Sequence, residues 1–437
     1  MRIVSLLVSL LALSVATVQA QSPSPAQISG ATRPRVVSAA VSQSQQTPAT
    51  PASEKVVSAP QKQSTTPTPE AGTQAPSIEL AGLETSEAET NTSAALSPQT
   101  VRARIAEAER MFKSRPKPVG LIPSIDFVSL ALLDRRSNRI HQLTVPKETF
   151  LTRGAEATLS TSLGSTVNLR VIRANGVNTA VAVFDDTGYS LTPLLVEFPI
   201  EKRGVFRELA YYTSVHPALS SSALARSGQL YVRTMLDFAA KRLRDKGIVV
   251  SPEILDVAER LCLVEHVDHD RFRAENRGAL FEEVYSLFAL NQKDTYRYSV
   301  SSAGAGGMVQ MIPWAYNLMR QRHPNAGLIP DFVVGMRTHA NALEAMLLYM
   351  SDTWNDLVAN EDVQYALSTK QATQTELLAA GYNSNAARLP QYLRRGGAGW
   401  RGLIPRETQM YLQIYKNFEA LVPIKQRAQK SAANLAR

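Results

Sequence analysis

The residues of this chain that are best suited to chemistry form a glycine-rich stretch at residues 301–313, SSAGAGGMVQMIP. Three glycines within four positions allow a tight turn and a close approach of a ligand to the backbone. Gln310 supplies an amide that can hydrogen bond to a sugar hydroxyl or an acetamide. An apolar floor is expected from Met308, Met311 and Ile312. A phosphate-binding loop is the alternative, but no Lys-Ser or Lys-Thr pair follows the glycines and no strand is predicted before them.

The stretch resembles a motif of the soluble lytic transglycosylase family, Ser-x-x-Gly-Ala-x-Gly-Leu-x-Gln-Leu/Met-x-Pro. The matching residues are Ser301, Gly304, Ala305, Gly307, Gln310, Met311 and Pro313, and Met308 stands where the family has Leu. Residues 380–393 resemble the family's Ala-Tyr-Asn-Ala-Gly segment, which lines the sugar cleft, and residues 405–411 resemble its closing Pro-x-Glu-Thr-x-x-Tyr segment. The three segments occur in the family's order and span roughly residues 254–421. The resemblance implies a fold like that of goose-type lysozyme and an action on peptidoglycan.

The resemblance also implies a catalytic glutamate at the end of the helix that precedes the loop. Residues 255–266, LDVAERLCLVEH, form an apolar helical pattern that ends in a carboxylate. We therefore predict Glu265 as the catalytic residue, with His266 where the family has Ser. The alternative is a surface carboxylate that pairs with Arg260 or His266, because most helix glutamates are solvated.

The spacing departs from the family, because Glu265 and Ser301 are 36 positions apart (301 minus 265). Residues 272–297 are therefore predicted to be an insertion that loops out. Glu282 and Glu283 lie nearer the glycines and are the competing carboxylates, although the apolar residues around them predict an amphipathic helix with a solvated acidic face.

The chemistry implied by the resemblance needs a single glutamate. A poorly solvated carboxyl holds its proton tightly and can donate it to the glycosidic oxygen between MurNAc and GlcNAc. The carboxylate then takes the proton of the MurNAc C6 hydroxyl, and a 1,6-anhydro ring closes. The substrate's own acetamide replaces a second carboxylate. The residues expected to bind the sugars are Ser301, Gly304, Gly307, Met308, Gln310, Tyr382, Asn383 and Tyr298.

Residues 265–270, EHVDHD, place several possible metal ligands close together. A zinc or calcium site is the functional interpretation, and a charged helix end is the structural one. Because the His-Glu-x-x-His spacing of zinc proteases is missing, we predict neither a metal nor a cofactor.

The elements that position these residues are predicted to form a multidomain protein with a β-rich accessory domain followed by an all-α, lysozyme-like domain. Residues 203–425 show apolar spacings of three and four, and Ser251 with Pro252 marks one helix start. Residues 100–202 combine a short helix with β-branched runs. There, residues 167–173 and 179–184 flank Asn175-Gly176, a pair that predicts a hairpin with a tight turn.

The ends of the chain of 437 residues have a different composition. Residues 1–20 read as a secretory signal peptide, and no cysteine follows it to carry a lipid anchor. Residues 21–99, rich in Ser, Thr, Pro and Gln, are predicted to be a disordered tether, and residues 426–437 to be a frayed basic tail. The single cysteine, Cys262, excludes an intrachain disulfide.

We therefore expect a periplasmic peptidoglycan lytic transglycosylase without stable membrane insertion. The formal charge of +9 suits an anionic cell-wall polymer, and the export signal argues against nucleic acid as the partner. Three alternatives stay open: a lysozyme-type hydrolase on the same fold with Asp268 or Asp270 positioning water, an inactive glycan-binding scaffold, and an adaptor whose β-rich domain binds an envelope protein.

Overall fold

The structure is a computed structural model that describes residues 96–116, 123–292 and 303–427. The predicted signal peptide, the predicted tether up to residue 95 and residues 428–437 lie outside the described residues, as do Tyr298 and Ser301.

The first part of the fold is a curled antiparallel sheet that forms half of a barrel. Its strands are β1 (Phe127–Asp134), β2 (Arg139–Pro146), β3 (Glu156–Ser160), β4 (Thr166–Arg173), β5 (Ala180–Asp185), β6 (Ser190–Lys202) and β7 (Val205–Thr213). The strand order is β2-β1-β6-β5-β4-β3, and β7 pairs with the long strand β6. Alternate residues of β4, Val167, Leu169 and Val171, are buried in the apolar core on the concave side.

The sheet continues beyond residue 202, where the sequence placed its end. Arg203 and Gly204 both have positive φ angles, 55° and 74°, and they connect β6 to β7 as a two-residue hairpin turn. Residues 205–213, which the sequence assigned to the helical part, pair with β6 along nearly the whole strand. The Arg-Gly turn was overlooked because Arg, unlike Asn, is an unusual residue in the left-handed region.

Two short or peripheral helices accompany the sheet. Helix α1 (Pro98–Lys113) begins at an N-cap, Ser97, whose side chain accepts a hydrogen bond from the Thr100 N–H. It packs against β6 and shares an apolar cluster with Leu133 of β1 and Ala289 of a later helix, so this cluster connects the sheet to the helical part. Helix α2 (Lys147–Phe150) follows β2 directly.

The second part is helical, as predicted. Its helices are α3 (Ser222–Asp245), α4 (Pro252–Val264), α5 (His269–Ala274), α6 (Arg277–Leu290), α7 (Pro313–Arg322), α8 (Phe332–Arg337), α9 (His339–Val358), α10 (Glu361–Ser368), α11 (Gln374–Asn383), α12 (Leu389–Gly396) and α13 (Arg406–Leu421). Helix α9 is buried on nearly all sides, and α3, α4 and α11 pack around it. None of the helices in the described ranges is long and apolar enough to cross a membrane.

The predicted looped-out insertion is wrong for its described portion, up to residue 292. Helix α6 lies in the core and buries Phe281, Val284 and Phe288. It approaches α3 so closely that a β-carbon at Gly228 would lie 1.8 Å from the Tyr285 carbonyl oxygen. The acidic face is not simply solvated either, because Glu283 forms an ion pair with Arg271 at 2.6 Å. Apolar residues on every side of α6 were the sequence signal for this burial.

The segment after α13 is also more ordered than predicted, up to residue 427. The Pro423 and Lys425 carbonyls accept hydrogen bonds from α3, and Arg427 forms ion pairs with Asp237, Asp256 and Glu259. The start of the predicted frayed tail is therefore a strap across α3 and α4.

Candidate active site

Glu265 lies where α4 ends, and its side chain is half-buried. Its backbone N–H donates to the Leu261 carbonyl at 3.0 Å, so the helix itself fixes the residue. The hydroxyl of Tyr411, a buried residue of α13, donates to Glu265 Oε1 at 2.9 Å. Arg260, suggested as a surface partner, forms an ion pair with Glu419 at 3.1 Å. The environment of Glu265 is thus a junction between helices rather than a plain solvated face.

His266 joins this helix end to the glycine-rich loop. Its Nε2–H donates to the Met308 carbonyl at 3.0 Å, and its ring packs edge-on against Phe288 with centroids 5.4 Å apart. Burial lowers the pKa of His266 to about 4, so the ring is neutral near pH 7 and keeps this donor. The bond brings the loop next to Glu265 despite the long separation in sequence.

The described part of the loop, from residue 303, is held by its own backbone. Gly304 and Gly307 have φ angles of 79° and 72°, and a β-carbon at Gly307 would lie 2.7 Å from the Met336 carbonyl oxygen. Gln310 also has a positive φ, and its Nε2 donates to the Gly307 carbonyl at 2.9 Å. Met308 is fully buried and Gln310 is 2% exposed. Met308 and Gln310, both predicted to contact sugar, are therefore buried, and Gln310 stabilises the loop through its hydrogen bond.

Tyr382 and Asn383 end α11 behind the same loop. The Tyr382 hydroxyl donates to the Val309 carbonyl at 2.7 Å, and its ring packs edge-on against Tyr349. Tyr382 is 1% and Asn383 7% exposed. Like Gln310, Tyr382 donates a hydrogen bond to a loop carbonyl and so supports the loop.

A pocket of about 60 Å³ opens beside Glu265, between the sheet and the helices. The sheet contributes Arg173, Asn175 and Asn178 from the end of β4 and the following loop. The helical part contributes charged residues in addition to Glu265, namely Asp268, Arg271 and Glu283. Sequence analysis assigned no chemistry to the sheet, because only the folded chain brings this loop to the helices.

The β4–β5 connection differs from the predicted tight turn, although the two strands do pair. Only Gly176 has a positive φ, and residues 174–179 form a longer loop. The Thr179 hydroxyl accepts from the Asn175 N–H at 2.9 Å and donates to the Gly176 carbonyl at 2.8 Å, which fixes the loop from within. The extra length is what lets the loop reach the pocket.

Arg271 organises the charges of the pocket. It bonds both oxygens of Glu283, at 2.6 and 2.8 Å, and both oxygens of Glu275, at 2.8 and 2.7 Å. Burial lowers the pKa of Arg271, but these hydrogen bonds outweigh it and raise the pKa above its usual range. Glu283, the competing carboxylate, therefore anchors this cation.

The two aspartates at 265–270 have structural partners. Asp268 caps α5 by accepting from the Asp270 and Arg271 N–H groups, and Asp270 pairs with Arg273 at 2.8 Å. Across the described ranges, no group of three or more His, Cys, Asp or Glu residues is arranged to hold a metal ion.

No family model matches this chain, and neither curated proteins nor solved structures give a match. The family resemblance therefore rests on the three motifs and on their arrangement. Hydrogen bonds connect the motifs in sequence: Tyr411 donates to Glu265, His266 donates to Met308 of the loop, and Tyr382 donates to Val309 of the loop.

Proposed function

We propose that this chain is a peptidoglycan lytic transglycosylase in which Glu265 acts first as general acid and then as general base. The observation that supports this most strongly is the hydrogen bond from Tyr411 to Glu265 Oε1. Tyr411 belongs to one of the three matching segments and contacts the carboxylate that the same pattern selected. The glycine-rich loop contacts the adjacent His266, and Tyr382 contacts the loop. A chance resemblance would give no reason for the contact between Tyr411 and Glu265.

In the proposed reaction, protonated Glu265 donates to the oxygen that leaves C1 of MurNAc. The C1–O bond breaks, and the neighbouring acetamide stabilises the positive charge at C1. The Glu265 carboxylate then accepts the C6 hydroxyl proton while O6 bonds to C1, so the glutamate ends protonated as it began. Tyr411 is a positioning residue, because its bond to Oε1 orients the carboxyl and makes Oε2 the atom that carries the proton.

The test is mass spectrometry of the soluble products from purified peptidoglycan treated with the mature protein. We expect 1,6-anhydro-muropeptides from the wild type and none from Glu265→Gln. The matched control is Glu283→Gln, which removes the competing carboxylate and should still release anhydro products. Loss of products in Glu283→Gln with retention in Glu265→Gln would reverse the assignment.

The alternatives give different products in the same experiment. A hydrolase that admits water leaves reducing MurNAc ends, which gain the mass of water relative to anhydro ends. A glycan-binding scaffold sediments with peptidoglycan and releases nothing.

The proposal includes export to the periplasm through residues 1–20. Cell fractionation and N-terminal sequencing test it, with a mature chain that begins near residue 21 as the expected result. A full-length chain retained in the cytoplasm would contradict the proposed location and substrate.

A further inference from the structure

The sheet contributes one side of the pocket beside Glu265, and that side is rich in hydrogen-bond donors. Arg173 ends β4, and Asn175 and Asn178 follow in the loop. The loop backbone is fixed by Thr179, which is 1% exposed, and by the Asn178 N–H, which donates to the Asn175 carbonyl at 2.9 Å. These side chains are therefore presented to the pocket by a rigid frame.

Arg173 has donor capacity that its protein neighbours do not use. Its Nη2 lies 3.9 Å from Glu283 Oε1, which is beyond hydrogen-bond distance. Its Nε is buried and has no hydrogen-bond acceptor among the described residues. Burial and the positive charge of Arg271 lower the pKa of Arg173, so an additional anion would relieve an unfavourable environment.

Among the charged residues of the pocket, Arg173 is the cation best able to bind an anionic ligand. Arg271 is committed to Glu275 and Glu283, and this pairing offsets the negative charge of Glu283. Asp268 lines the same pocket and repels distant anions. A ligand carboxylate would thus bind through direct contact with the guanidinium, whose planar fork matches a carboxylate.

We propose that Arg173, with Asn175 and Asn178, forms a subsite for the peptide stem of peptidoglycan, and this rests on the proposed function. The stem leaves the MurNAc ring whose C1 bond is cut, so it must pass close to Glu265. Its carboxylates match Arg173, and its peptide groups match asparagine amides, which donate and accept. The sheet then selects glycan strands that carry peptides.

The test measures binding in the full mature chain with Glu265→Gln, so that turnover does not consume the ligand. Isothermal titration calorimetry compares a GlcNAc–MurNAc disaccharide that carries a tripeptide stem with the same disaccharide without peptide. We expect the stem to tighten binding about tenfold, as a charged hydrogen bond would. Adding Arg173→Gln should remove this gain and leave the affinity for the bare disaccharide unchanged.

Arg170→Gln is the matched control, because Arg170 lies on the same strand, is mostly exposed and pairs with Glu156. It should keep the tenfold preference. An equal loss for both ligands in Arg173→Gln, a preference that survives in it, or the absence of any stem preference would overturn the inference.

Cleavage separates this inference from the proposed function. If the wild-type chain cuts intact strands and amidase-stripped strands at equal rates, the stem subsite is wrong and the proposed transglycosylase activity stands. If binding depends on the stem but no anhydro products form, the stem subsite stands and the proposed transglycosylase activity is wrong.

Discussion

The sheet and the helical part treat buried charge differently. The concave core of the sheet is apolar, and its most buried carboxylates, such as Glu197 beside Arg115 and Ser129, remain 5–8% exposed. The helical part buries Glu344 completely and Glu259 to 1% exposure. The difference indicates that the helical part depends more than the sheet on fully buried ionic contacts, whose loss is costly.

The strongest test of this difference between the sheet and the helical part is a substitution of Glu344 in α9. Arg242 Nε and Lys246 Nζ bind its Oε1 at 2.8 and 3.1 Å. In Glu344→Gln the two cations lose their counter-charge, and we expect the free energy of unfolding to fall by about 3–5 kcal/mol. Denaturant unfolding measures this. Glu197→Gln in the sheet should cost roughly half as much, and equal losses would contradict the contrast.

Glycines with positive φ give the next largest effect. Gly307→Ala forces a β-carbon to 2.7 Å from the Met336 carbonyl oxygen, and we expect a loss of about 2–3 kcal/mol together with most of the activity. Gly154 has a similar φ of 76° with open space around it. Gly154→Ala should therefore cost only about 1 kcal/mol and spare activity. Thermal unfolding and product release, measured on both variants, check this pair.

Two buried tyrosines of α13, Tyr411 and Tyr415, test whether the hydrogen bond to Glu265 matters for activity. Tyr411→Phe removes the donor to Glu265 but keeps the ring, and we expect kcat on peptidoglycan to fall about tenfold with KM unchanged. Tyr415→Phe is the control, because the buried Tyr415 hydroxyl has no hydrogen-bond partner among the described residues. A KM effect in Tyr411→Phe, or equal kcat losses in both variants, would mean that the phenol is merely structural.

His266 is expected to make the stability depend on pH. Its folded pKa of about 4 lies below the unfolded value near 6.5, so the stabilisation is complete above pH 6.5 and is lost as the pH falls toward 4. His266→Gln should remove a fall in the unfolding free energy of about 3 kcal/mol over this window. Burial also lowers the pKa of His216 to about 4, so the part of the pH dependence that comes from His216 remains in the variant. An unchanged slope in His266→Gln would refute the assignment.

Local sequence patterns predict where helices and strands lie better than they predict how these elements pack. Ser251 and Pro252 start α4 where the sequence placed it, and α11 and α13 occupy the two downstream motifs. The burial of α6 and the path of residues 423–427 depend on contacts between residues far apart in sequence, which periodicity does not report. The motif positions follow from the sequence alone, but the hydrogen bonds of Gln310 and Tyr382 to loop carbonyls do not, because a pattern shows which residues recur and not which atoms they touch.

The strap that ends in Arg427 has a consequence for how the chain acquires its structure. Arg233 and Arg427 bind the same Glu259 oxygen, at 3.0 and 2.6 Å. Since ribosomes make the chain from its N-terminus, Arg427 is made after every helix of the described ranges. Until then Glu259 has one cation instead of two, and burial opposes its ionisation by raising its pKa. The helical part therefore reaches its final stability only after Arg427 is in place, and chains that stop before this residue remain targets for proteolysis.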